Sequence, residues 1–111
     1  MKKALFFFLI ICVATPGFAF VKSFGPEYDA VVTIFQGEEE PDAMDAVWKT
    51  ETLLRIGVFK HGNNYDEYAS HACNIIEKNS FEGKTVTIQI IDLKKLAETE
   101  EWVVLGQAQC K

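Results

Sequence analysis

The side chains able to do chemistry are few and scattered: Cys73 and Cys110, His61 and His71, an acidic run of Glu38, Glu39, Glu40, Asp42 and Asp45, and Glu100 and Glu101 beside Trp102. A cysteine nucleophile needs a base within hydrogen-bond reach of its sulfur. His71 sits two residues before Cys73, and on a helix such positions project about 200° apart, so the two side chains diverge. No G-x-S-x-G surrounds Ser23, Ser70 or Ser80, and no glycine-rich loop is present to cradle a phosphate. His61 and His71 taken with Asp66 or Glu67 lack the spacing of a zinc ligand set. The acidic run lacks the ligand spacing and glycine of a calcium loop, and charge runs of this kind usually face water. Glu100 and Glu101 are adjacent, so on a strand they point to opposite faces, whereas the two carboxylates of a glycosidase must face each other across the bond. The expectation is no catalytic, cofactor or metal site, which weighs against an enzyme.

The cysteines matter for a structural reason. Met1, Lys2 and Lys3 form a short cationic segment, residues 4–13 are apolar, and Pro16 and Gly17 break that run. Gly17 and Ala19 put small residues where a signal peptidase reads, which predicts a secretory signal at residues 1–19. The apolar run is too short to span a membrane. Cys12 follows Ile11, where lipid attachment would need a small residue, and is expected to leave with the signal. Removing 19 of the 111 residues leaves 92, a domain small enough to bury only about 60–65% of its unfolded surface. Its two cysteines, Cys73 and Cys110, would reach an oxidising space, periplasmic or extracellular, and are expected to pair. Closing that loop is worth about 3.5–4 kcal/mol in the chain-entropy model, a large share of a total near 5–10 kcal/mol.

The elements that position these residues follow from hydrophobic spacing. Tyr65, Tyr68, Ala69, Ala72, Cys73 and Ile76 recur at helical intervals, with Asp66, Glu67, Ser70, His71 and Asn74 between them. Asn64 is placed to cap the first turn, with Glu67 completing a capping box, and Asn79 and Ser80 to stop the helix. His71 falls on its solvent side, one turn from Glu67. Val86, Ile88 and Ile90 alternate with Thr85, Thr87 and Gln89, which predicts a strand after Gly83. Residues 20–27 read as a connecting arm and residues 28–111 as one domain. The alternation of Tyr28, Ala30, Val32 and Ile34 with Val31, Thr33 and Phe35 predicts a strand. Residues 43–48 fit either a short helix opened by Pro41 or the start of a strand at Ala46. Leu54, Ile56 and Val58 mark a further strand, and residues 61–64 a turn. Asp92 is placed to cap a short helical turn with Leu93, Leu96 and Ala97 inward. In the last strand Trp102, Val104, Gly106 and Ala108 share a side with Cys110, and Gly106 would let the helix approach closely. Together these predict an α+β fold with about four strands, ordered ββαβ, short helical turn, β, and one main amphipathic helix on one face. The strands flanking that helix should run parallel if they share the sheet.

Loss of Lys2 and Lys3 moves the formal charge from −5 to −7, so nucleic acid and anionic lipid are poor partners and a cationic protein is permitted. No membrane association is expected after signal cleavage. The function expected is that of a small exported, non-enzymatic module that binds or inhibits a protein through surface loops. The contact residues would be Glu38, Glu39, Glu40 and Asp42, or His61 and Asn63. Two alternatives remain: a glycan-binding domain or small hydrolase using Trp48 or Trp102, with Phe59 and Phe81 as further aromatics, and a subunit whose sheet edge a neighbour completes.

Overall fold

A computed structural model describes residues 23–59, 62 and 64–111. The predicted signal therefore lies outside the described residues, as do His61 and Asn63. The element order is α1 (Pro26–Gln36), β1 (Asp45–Thr50), β2 (Leu53–Val58), α2 (Tyr65–Ile76), a π-helical turn (Glu77–Phe81), β3 (Val86–Asp92), α3 (Leu93–Thr99) and β4 (Val104–Cys110). One sheet runs in the order β1-β2-β3-β4. The central pair β2 and β3 is parallel and both outer pairs are antiparallel. The α+β class, a sheet of four strands and a helix packed on one face are as the spacing predicts, although one of the strands is a different segment.

The assignment of residues 28–35 to a strand is corrected: they belong to α1. Tyr28, Val31, Val32 and Phe35 also fit helical spacing, so periodicity alone does not separate the two. Pro26 in the first turn, acidic Glu27 and Asp29 beside it, and Gly37 just past the last turn are the terminal signals that favour the helix. Its first two residues, Pro26 and Glu27, come from the expected connecting arm. The fourth strand is instead β1, which resolves residues 43–48 in favour of extended chain. A helix about 10 Å wide cannot cover four strands spaced about 4.8 Å apart. α2 lies over β3 and β4, and α1 over β1. Trp48 locks α1 down: its ring meets Tyr28 edge-on at 4.7 Å and stacks on Phe81 at 5.3 Å, and its Nε1 donates to the Tyr28 carbonyl at 3.0 Å.

α2 forms where its stripe predicts. The Asn64 side chain accepts from Glu67 N at 3.1 Å, and Ala69, Ala72, Cys73 and Ile76 are buried. Asn79 and Ser80 leave helical geometry, with Ser80 at φ 82, and the wide turn carries Phe81 into the core. Cys73 and Cys110 are joined with Cα atoms 5.3 Å apart, tying the middle of α2 to the end of β4. Such a bond fits an oxidising compartment. Gly106 permits the approach: a Cβ there would fall on the Tyr65 carbonyl carbon and 2.5 Å from Asp66 N. Asp66 then accepts from Gln107 N at 2.9 Å, so the outer edge of β4 meets the first turn of α2.

Two inward assignments are corrected. Ala97 is exposed, and Leu93 and Leu96 are only half-buried, because α3 covers one corner of the opposite sheet face, where Leu93 sits over Gly57. Trp102 and Val104 do not share the side of Cys110. A bulge at Ile90/Ile91 shifts the β4 register and leaves both exposed.

Candidate functional site

The strand directions bring many features to one end of the sheet, where β2 and β3 finish and β1 and β4 begin. The 37–44 loop, the start of α2 and α3 all lie there. So do Met44, Phe59, Trp102 and Val104, the large hydrophobic residues left exposed among those described. Two clefts open at this end.

The first is a cleft of about 300 Å³ lined by Asp42, Gly62, Asn64, Tyr65, Tyr68 and His71. Two of these lining residues are held by Glu40, whose carboxylate accepts from the Tyr68 hydroxyl at 2.8 Å and meets His71 Nε2 at 3.2 Å. Glu40 is therefore no solvated loop residue, since its side chain is only 13% exposed. The His71 partner is Glu40 rather than Glu67, although His71 is on the solvent side as expected. Burial, with the Glu40 carboxylate accepting from the hydroxyl and Asp42 nearby, pushes the Tyr68 phenol well above the usual tyrosine range. Glu38, Glu39 and Asp42 are exposed on the same loop, and Gln36 Nε2 donates to Asp45 at 2.9 Å at its far side.

No protein-family model, curated protein or solved structure matches this chain.

The second cleft, about 100 Å³, lies on the sheet face away from α2, between α3 and β2. Gly57 lets Leu93 close on its floor, with Ile91 and Leu96 beside it and Trp102 as a wall. The Arg55 guanidinium lies 4.8 Å from the Trp102 ring centroid, and its Nε donates to Gln89 Oε1 at 3.2 Å. Gln89 Nε2 in turn faces Gln107 Oε1 at 3.4 Å, which makes a polar row across β2, β3 and β4.

Of the four aromatics considered for glycans, Trp48 and Phe81 are buried in the core, while Phe59 and Trp102 are 52% and 48% exposed. Among the described residues no group of three or more His, Cys, Asp or Glu is placed to hold a metal ion. No helix among them is long and apolar enough to cross a membrane. The Glu40–Tyr68–His71 contact went unseen in the sequence because its partners lie 28 and 31 residues apart. No local periodicity reports such a pairing.

Proposed function

We infer that this chain is a small exported protein, periplasmic or secreted, that binds a protein partner without catalysing a reaction. The observation that carries the reading is the fastening of the acidic 37–44 loop to a disulfide-tied helix by Glu40. Fastening one acidic residue while Glu38 and Glu39 stay exposed gives a loop already ordered before binding. Less ordering entropy is then lost on association. The exposed carboxylates complement a cationic partner and steer its approach, and Met44 and Phe59 at the same end supply apolar contact.

The glycan or hydrolase alternative keeps Trp102 but loses Trp48, which the core and the Tyr28 carbonyl occupy. The assembly-subunit alternative finds less support at β4, whose edge amide Gln107 N is already held by Asp66.

The test is a photo-crosslinking residue at position 39, with the same residue at exposed Glu82, at the other end of the sheet, as control. In extract of the producing cells, the reading expects a discrete adduct from position 39 that weakens when Glu38 becomes Gln. Equal adducts from both positions, or an adduct indifferent to loop charge, would overturn it.

A further inference from the structure

We propose that the cleft between α3 and β2 is a recognition slot for the C-terminal residue of a protein partner. An aliphatic side chain would seat against Trp102, and its α-carboxylate would meet Arg55. This rests on the protein-binding reading and names what the partner presents.

Arg55 is the central observation. It is half-buried, and among the described residues it makes no ion pair, its contacts being Gln89 Oε1 and the Trp102 ring. In a chain with 16 acidic and 11 basic residues, a guanidinium held in place by two neighbours and left without a carboxylate is charge-complementary to an anion from outside. Its terminal nitrogens are suited to a planar carboxylate. Asp45, the nearby acid on the slot's rim, is engaged by Gln36 Nε2 and Ala46 N.

The rest of the slot selects the body of the ligand. Ile91, Leu93 and Leu96 make its lining aliphatic, which suits an apolar side chain of the ligand. An apolar side chain and a carboxylate that must fit one small slot with one guanidinium are joined most compactly on a single α-carbon, as at a chain terminus. The exposed Trp102 and the adjoining Arg55 are also the residue types that dominate binding energy at protein interfaces. The Gln89 and Gln107 amides continue away from the slot across the sheet, where the residues preceding a C terminus would lie.

The test uses the oxidised mature chain and the two tryptophan indole N–H signals in a nitrogen–proton NMR spectrum. Trp48, buried and bonded to Tyr28, is the internal control, and Trp102 is the reporter. N-acetyl-leucine should move the Trp102 signal saturably at millimolar concentration, as expected for so small a ligand, and leave Trp48 in place. N-acetyl-leucinamide and N-acetylglycine should bind at least fivefold more weakly. Arg55→Gln should lose the preference for acid over amide while Arg55→Lys keeps part of it, the unmoved Trp48 signal certifying the fold of each. A tetrapeptide ending in free leucine should bind more tightly than N-acetyl-leucine. Equal binding of acid and amide, or an unmoved Trp102 signal, overturns the proposal. So does 4-methylpentanoate binding as well as the tetrapeptide, since that assigns the slot to a small molecule. If the slot fails while the position-39 crosslink persists, the protein-binding reading stands without it.

Discussion

Replacing Gly106 by alanine tests the central geometry, the close seat of α2 on β4. The added Cβ would lie 2.5 Å from Asp66 N and 2.7 Å from the Tyr65 carbonyl oxygen, where ordinary contacts begin at 3.4 Å, and both obstacles are backbone. The first turn of α2 must therefore retreat by roughly 1 Å, an overpacking that costs about 1–3 kcal/mol. The retreat also pulls Asp66 from Gln107 N, a bond of 2.9 Å, for about 1 kcal/mol more. The sum is about 2–4 kcal/mol. Gly57→Ala is the matched control, since the atoms nearest its Cβ belong to the Leu93 side chain, which can turn aside, rather than to backbone, at about 1 kcal/mol or less. Guanidinium denaturation followed by far-ultraviolet circular dichroism, with a slope of about 2 kcal/mol per molar for a domain of this size, should show a midpoint lowered by about 1–2 M for Gly106→Ala. The disulfide sharpens the test because it stops α2 from swinging clear. With Cys73 and Cys110 both changed to alanine, the helix can relax, and the cost of Gly106→Ala should fall by about 1 kcal/mol or more. If Gly106→Ala costs no more than Gly57→Ala in the oxidised protein, the seating of α2 on β4 is wrong.

Other outcomes follow from the same geometry. Removing the Cys73–Cys110 bond, which closes 37 residues of separation, should lower stability by about 4 kcal/mol, measured by denaturation of the double alanine variant against the oxidised parent. Glu40→Gln should weaken the fastening of the loop, so hydrogen exchange at residues 37–43 should rise several-fold while α2 stays protected; unchanged exchange there would show that Glu40 does not order the loop. Tyr68 carries a phenol raised above its unfolded value of 10.0. The native state therefore keeps the proton longer, and the resulting stability is complete below about pH 10 and declines above it. Tyr68→Phe should show a shallower loss of denaturation midpoint between about pH 9 and 11 than the parent.

Where an element's own residues decide its form, the sequence was enough. The stripe and Asn64 cap of α2, the alternation in β3, the Asp92 cap of α3 and the pairing of the two cysteines all follow from local spacing or from compartment chemistry, and the structure bears them out. Residues 28–35 satisfy both the two-residue and the helical period, so their alternation alone misleads, and the helix is signalled instead at its ends by Pro26, the acidic first turn and Gly37, with α1 covering the part of the sheet face that α2 leaves open. Trp102 and Val104 were misplaced because one extra residue in β4, Leu105, opposite the Ile90/Ile91 step of β3, inverts the side on which the start of β4 points. The two clefts depend on contacts between residues far apart in the chain, Glu40 with Tyr68 and His71, Arg55 with Trp102. Periodicity records which face of an element is buried, but only the packed arrangement records which elements then face each other.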